Sequence, residues 1–555
     1  MTPRKLMQEL RSVKAELPKN VQISATGADS AAELSSAEDE PIFDEEDRTN
    51  IQGNIVPGFN KDHQHFLFFR LGDVKAAKRW LKWLAPVVTS MDDALAFKRL
   101  HRALRLRQGE TEPLLKSTWV NIAFSVAAIR KLVGKDAAAA FGEQSFRQGL
   151  AERSTYLGDP TDPSHRGHRG NWVVGGPDNE ADVIVIVASD DPDDLVEIVA
   201  LVSEQAMDHG LYVIFEQRGD TLTGDFRGHE HFGFKDGVSQ PGVRGRTSSV
   251  RFITPRALAP GDPHARLFAR PGQPLIWPGQ FLLGQPRQHP GNLLKAGSRA
   301  QNFPSWAKHG SYLVCRRLLQ DVPAFWDFVT ELASRVGLPG VRVASMLVGR
   351  WPSGAPIMRT PAADDLALAG DELANNHFIF DDDTRPSVLA PDRGNDVFPQ
   401  AKADVLGTVC PHFAHIRKAN PRDSATDLGS PSDTLTRMIL RRGIPFGERL
   451  VGVDDPPEEL LKQERGLMFL CYGSTIEDQF EFLTRRWANS PVQPNLGGHD
   501  PVVGQEGRGK RARFIDFPTK DGAQRVSIEK EWVTVTGGGY FFAPPIRALT
   551  EVLGA

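Results

Sequence analysis

The chain has 555 residues, with 66 Lys+Arg against 70 Asp+Glu and a formal net charge of −4. That balance argues against a general electrostatic pull towards nucleic acid or anionic lipid, and 40% hydrophobic with 25% charged residues is the make-up of ordinary folded protein. Three cysteines, Cys315, Cys410 and Cys471, cannot frame a chain of this length with disulfides, and the lack of CxxC and CxxCH removes thiolate zinc and covalently attached c-type haem.

The N-terminus, MTPRKLMQELRSVKAELPK, has no apolar core of a secretory signal, and no run of about 18 apolar residues occurs anywhere. The expected address is the cytoplasm, with no membrane partner. Residues 1–48 read as a solvated extension: Asp29, Glu33, Glu38, Asp39, Glu40, Asp44, Glu45, Glu46 and Asp47 crowd together with Arg48 as their one cation. Such a segment buries too little apolar surface to offset its ordering entropy. A short amphipathic helix is expected near Leu6–Leu17.

Beyond it one unit recurs: a β-rich run, a polar turn, then a run with helical spacing. The runs are HFLFFRL (65–71), ADVIVIVAS (181–189), GSYLVCRRL (310–318) and GLMFLCYGS (466–474), and each is followed by apolar residues at i, i+3, i+4 spacing. Asp73, the DDPDD turn and Asp321 stand where capping residues belong in the first three. A β-α-β-β-α-β domain contains two strand-to-helix steps, so four steps predict two ferredoxin-like domains in tandem. The expected fold class is α+β, with antiparallel sheets and peripheral helices. The boundary is expected in the Gly/Pro-rich stretch 228–246, giving domains 49–240 and 241–555. A second irregular region, from Trp351 to about Cys410, reads as a functional or mobile loop.

Familiar motifs are missing: no GxxxxGK[ST], GxGxxG after a strand, GxSxG or HExxH occurs. The loop GQEGRGKRAR (504–513) has the wrong spacing for phosphate and reads as exposed and basic. His63/His65 and His229/His231 lack further ligands at zinc spacing, and Asp381–Asp383 reads as a solvated turn.

Three segments carry chemistry. In Gly233-Phe234-Lys235-Asp236-Gly237 a carboxylate flanked by glycines can be aimed into a cavity by a tight backbone. In CPHFAHIRKANPRD (410–423), His415 sits among apolar residues, with His412 as a competing ligand. Arg417, Lys418 and Arg422 follow it as cations able to hold carboxylates of a cofactor. In MILRRGIPFG (438–447) either Arg441 or Arg442 projects into a cavity while its neighbour faces away.

Together these segments resemble the dye-decolorising peroxidases, in their larger bacterial and fungal-like branch. IQGNIVPGF (51–59), LVGRWPSGAPI (347–357), FEFLTRRWANSP (480–491) and VTGGGYFFAPP (535–545) extend the resemblance from about residue 49 to the C-terminus. It implies tandem ferredoxin-like domains of the dimeric α/β-barrel type, with one haem b held non-covalently in the C-terminal domain. By motif match His415 is the axial iron ligand, Asp236 the distal acid/base and Arg441 the distal arginine that stabilises charge and contacts the cofactor. Arg417 is expected to bind the cofactor, and Glu477, or failing it Asp478, to back the histidine. Gly443 stands where compact relatives carry an asparagine. The implied activity reduces hydrogen peroxide and oxidises bulky aromatic donors, dyes and phenolics, by one-electron steps. Trp487, Trp532 and Tyr540 are candidate electron relays. The alternative is a non-enzymatic haem-handling protein, which would need His415 but not both Asp236 and Arg441.

Overall fold

The structure, a computed structural model, describes residues 40–108, 115–248, 251–258, 262, 264–381, 397–429, 431–453, 456–507 and 513–555. The helix expected near Leu6–Leu17, residues 508–512 of the basic loop, and Asp382 and Asp383 lie outside the described residues.

All four strand-to-helix units form. β1 (His63–Leu71) leads into α1 (Val74–Leu84), whose N-cap Asp73 accepts from Lys75 N and Ala76 N. After β2 (Thr118–Phe124), β3 (Val183–Ser189) leads into α2 (Pro192–Asp208), capped by Asp191, and the chain returns as β4 (Leu211–Asp220). In the second half β5 (Ser311–Gln320) leads into α3 (Val322–Val336), capped by Asp321 and followed by α4 (Gly340–Val348). Two short segments, β6 (Leu440–Arg441) and β7 (Ile444–Phe446), then precede β8 (Gly466–Gly473). The helix after β8 departs from expectation: Ile476–Glu481 and Leu483–Ala488 are both wound as π-helix, with Thr475 as the N-cap. The last strand is β9 (Val533–Ala543).

One nine-stranded sheet runs β6/β7–β8–β5–β9–β2–β3–β1–β4. Each half has the order second–third–first–fourth, antiparallel throughout, which is the ferredoxin-like arrangement. β9 meets β2 only at Phe542↔Phe124. Gln52, in the early IQGNIVPGF segment, reinforces that seam: its amide accepts from Ile122 N (2.9 Å) and donates to Ile122 O (2.9 Å) and Pro544 O (2.8 Å). At the opposite ends the sheet curls round on itself, since a Cβ on Gly219 of β4 would stand 2.6 Å from Ile444 Cγ2 of β7. The dimeric α+β barrel results.

Strand alternation decides what each face buries. Phe66, Phe68, Ile184, Ile186, Leu313, Met468, Leu470 and Phe541 form the barrel interior. Leu67, Phe69, Val185, Val314 and Phe542 face outwards under Trp80, Leu195 and Ile198 of the helices. A separate core joins α3 and α4 to Trp351, Phe380, Phe413 and Ile515.

One expectation needs correcting here. The acidic stretch is part of the fold from Glu40 on: the Glu40 carboxylate accepts from Arg244 Nη1 (3.1 Å), Arg256 Nη2 (2.7 Å) and Gly245 N (3.0 Å), and Phe43 is buried. A carboxylate with two guanidinium partners can be desolvated, whereas one without them cannot. The described part of the irregular region after Trp351 is tied down similarly. The buried Arg359 donates to Ala374 O, Phe398 O and Pro399 O, and Asp404 accepts from the amides of Thr408, Val409 and Cys410.

Candidate active site

The loop after β4 delivers Asp236. Within it the buried Glu230 accepts from Phe232 N and Phe234 N (both 2.9 Å) and from the Gln320 amide (2.5 Å), and Gly233 turns the chain at φ +97°. A left-handed residue there favours glycine. Asp236 N donates to Gly228 O, and its Oδ1 accepts from Gly237 N (2.6 Å) and Arg441 Nη1 (2.9 Å).

Arg441 projects from β6, where it pairs with Cys471 of β8. The Gln240 side chain clamps its backbone, accepting from Arg441 N (3.3 Å) and donating to Arg441 O (3.1 Å). Arg441 Nη2 donates to Ser239 O (3.1 Å). Its neighbour Arg442 points the other way and binds the carbonyls of Asn54 and Ile55 (2.9 Å each), so alternation resolves the choice between the two arginines. The side chains of Asp236 and Arg441 are 41% and 29% accessible, yet burial is the largest influence on the acidity of Asp236. Both are therefore set back in the protein while remaining accessible. Burial pushes the Asp236 carboxyl up, but the Arg441 guanidinium, the Gly237 N–H and the more distant His415 together hold it below the usual range.

His415 opens α5 (His415–Ala419). Its Nδ1 lies 2.8 Å from Oδ2 of Asp500, whose side chain is 1% exposed. Oδ1 of Asp500 accepts from Val502 N (2.8 Å) and Val503 N (3.0 Å), so the acid is held rigidly. An ionised carboxylate only accepts, so Nδ1 carries the proton and Nε2 keeps its lone pair. Among the described residues no hydrogen bond engages Nε2. Burial disfavours charge on His415, yet Asp500 outweighs it and the imidazole ends above its ordinary range; Asp500, opposed by burial, ends below its own. Asp236 and Arg441 both act electrostatically on His415, so the two pairs lie within reach of each other's charge.

With this geometry in hand, similarity to known proteins is informative. A family model described as "DyP dimeric alpha+beta barrel domain" matches residues 50–221, and one described as "Dyp-type peroxidase, C-terminal" matches residues 370–495. A dye-decolorizing peroxidase of Mycetinis scorodonius is 31% identical over 526 residues, covering 91% of this chain and 87% of the relative. The chain belongs to the dye-decolorizing peroxidase family. It is a peroxidase of a haem-dependent family, and a haem-handling protein without enzymatic activity is set aside. A second dye-decolorizing peroxidase, from Auricularia auricula-judae, is 31% identical over 91% of this chain and 87% of the relative, in keeping with the larger, fungal-like branch. Among solved structures, an ancestral D-type dye-decolorizing peroxidase aligns with a TM-score of 0.72 at 32% identity, over 92% of this chain and 99% of that one. A mutant of the dye-decolorizing peroxidase from Pleurotus ostreatus gives 0.71 at 28% identity, over 91% and 99%.

Several expected residues of this peroxidase lie elsewhere. Glu477 does not meet His415: its carboxylate accepts from Ser145 N (2.8 Å) and Oγ (3.1 Å), and Asp500 takes the place behind the histidine. Asp478 lies beside Arg287 and Arg437 instead. Arg417 is fully buried in the loop scaffold, donating to Asp404 O, Cys410 O and the Asp381 carboxylate, and so is not turned to a cofactor. Arg350 and Arg422 meet neutral oxygens in their hydrogen bonds. Arg350 donates to Gly354 O, Asn375 O and Asn376 Oδ1; Arg422 donates to Asn376 O, Phe378 O and Asn376 Oδ1. His412 Nε2 is engaged by Val405 O (3.1 Å), and burial pushes the ring down to about 4.

The two histidine pairs have ordinary partners. His63 and His65 meet Asp220 and Glu216, and His229 and His231 meet the carbonyls of Arg227 and Phe446. Trp487, Trp532 and Tyr540 are all buried, with Trp487 Nε1 on Asp427 and Tyr540 Oη on Glu481, so none of the three reaches the surface. Asp500 escaped the sequence because no local pattern joins it to His415, 85 residues away. Arg350 had a signal, since it lies within LVGRWPSGAPI.

Proposed function

We propose that this peroxidase binds one haem b non-covalently through His415 Nε2 and turns over hydrogen peroxide with Asp236 and Arg441, oxidising aromatic donors such as dyes and phenolics by single electrons. The observation that carries the proposal is the Asp236–Arg441 ion pair within electrostatic reach of the His415–Asp500 pair. The residues suit the group. His415 offers a lone pair oriented by a carboxylate on its other nitrogen, and Arg350 and Arg422 offer positive charge for the two haem carboxylates. Bound there, haem supplies the redox iron at which peroxide is reduced.

The protein's own part is proton and charge handling. Asp236, its carboxyl held below the usual range, stays ionised into acid solution and accepts the first peroxide proton at a carboxylate oxygen. The same oxygen returns that proton to the departing oxygen, which leaves as water. Arg441, permanently charged, stabilises negative charge as the O–O bond opens. Asp500 keeps the His415 ring from rotating and holds its proton on Nδ1. We also read the division of the chain as lying near residue 240, in the loop that carries Asp236. The three cysteines are free and buried, which suits the cytoplasmic address expected from the sequence.

Haemin-loaded wild-type protein should consume peroxide and bleach an anthraquinone dye. Asp236→Asn should slow peroxide consumption by about 10²–10⁴-fold. An unchanged rate would remove Asp236 from the mechanism, and His415→Ala that retains stoichiometric haemin with an unaltered Soret band would remove His415 as the ligand.

A further inference from the structure

The strongest feature outside the two ion pairs is a single amide. Asn376 is 5% exposed, and its Oδ1 accepts from Arg350 Nη2 (3.0 Å), Arg422 Nη2 (2.6 Å) and Ser239 Oγ (3.2 Å). Its Nδ2 donates to Gly272 O (2.7 Å), and Gly272 must be glycine for that approach, with φ +70° and a would-be Cβ that would overlap Asn376 O. Three loops distant in sequence thus converge on one oxygen. Ser239 in turn accepts Arg441 Nη2 at its carbonyl, which joins the amide to the distal guanidinium.

We propose that Asn376 is a positioning residue that fixes Arg350 and Arg422 side by side while adding no counter-charge of its own, so that the pair can receive the carboxylates of the cofactor. The inference rests on the haem assignment above and deepens it. An aspartate at this place could still accept from the two arginines, but it would cancel one of their charges and lose the bond to Gly272 O. A neutral amide orients them and keeps the field. Burying like charges against a dipole alone is costly, and the signs of cost are present. Burial pushes Arg350 down to about 9 and Arg422 to about 10, and Arg422 further depresses Arg350. Arg422 also holds φ +53°, unusual for a side chain of its size, with its guanidinium 3.7 Å from the Phe378 ring centroid. Asp423, the acidic neighbour of Arg422, offsets part of its charge, while its oxygens accept from Phe380 N (2.7 Å) and Asp381 N (3.1 Å). An arriving dianion relieves the repulsion between the arginines; a neutral ligand does not.

The test measures release of bound porphyrin to a scavenging apoprotein, with no turnover involved. The probes are haemin and haemin dimethyl ester, whose carboxylates are masked. Wild-type protein should release the ester at least about ten-fold faster than haemin, the loss expected for charge-assisted hydrogen bonds. Asn376→Asp should release haemin about ten-fold faster than wild type and no longer distinguish it from the ester, with an apoprotein melting temperature within a few degrees of wild type. Equal release of the two porphyrins from wild type would overturn the inference, even if the variant failed to fold. Haemin release from Asn376→Asp at the wild-type rate would overturn it too. Wild-type protein that took up neither porphyrin would overturn the haem assignment first, and this inference with it.

Discussion

Asp500→Asn isolates what the buried carboxylate does for His415. In the wild type Oδ1 accepts from two backbone amides and Oδ2 from the imidazole. Asparagine keeps the first task with its carbonyl oxygen, so its NH₂ group is forced against His415 Nδ1. The imidazole must then accept at Nδ1, which moves its proton to Nε2 and removes the lone pair that would bind iron. Reversing this requires either rotating the amide away from Val502 and Val503 or losing the histidine contact. The lost charge-assisted bond contributes about 1.5–3 kcal/mol, which corresponds to roughly 10–100-fold in affinity for a metal-bound group. Equilibrium titration of the apoprotein with haemin, followed in the Soret band, reads this directly. The pH dependence supplies a second signature. Asp500 raises the His415 pKa, so wild-type haemin binding weakens as pH falls through that raised value, where a proton occupies Nε2. In Asp500→Asn burial is left without its opponent, and that acid limb moves to lower pH although the plateau affinity is weaker. Affinity within two-fold of wild type, or an acid limb that stays in place, would refute the reasoning.

Arg441→Ala removes the guanidinium that holds Asp236 ionised, and burial then raises the carboxyl. The acid limb of peroxide consumption should shift to higher pH in steady-state profiles, in addition to a fall in the plateau rate; an unshifted limb would show that the pair does not set the acidity of Asp236. Glu143 bridges the two halves, accepting from Ile476 N and Glu477 N (both 2.7 Å), and burial lifts it to about 7. Because the fold favours its protonated form, the wild type loses stability between the unfolded pKa, about 4.5, and about 7. Glu143→Gln keeps the accepting oxygen without the titration, so its stability relative to wild type in urea melts should rise by about 2–3 kcal/mol from pH 5 to pH 7.5; a pH-independent difference would contradict this.

How much of the protein was legible in its sequence follows from the distance over which each feature is decided. The four strand-to-helix steps were readable because apolar period and N-cap are settled within a few residues: Asp73, Asp191 and Asp321 cap the helices that follow them. Asp236, His415 and Arg441 stood out as candidates because glycines, an apolar setting and a β turn mark them locally, and a family resemblance orders them along the chain. The π-helical winding after β8 was not, since a widened turn keeps nearly the same apolar spacing. Nor was the extent of the acidic extension, because Glu40 is buried only by virtue of Arg244 and Arg256, more than 200 residues on. The carboxylate behind His415 was misread for the same reason. Glu477 stands in a fitting local setting, but its partner is Ser145, while Asp500 reaches the histidine across a loop closed by the core. Local chemistry, then, was determined by the order of residues, whereas the pairing of buried charges was decided by tertiary structure. A buried ion must find its partner wherever the folded chain brings one, and sequence neighbours have no privilege in that choice.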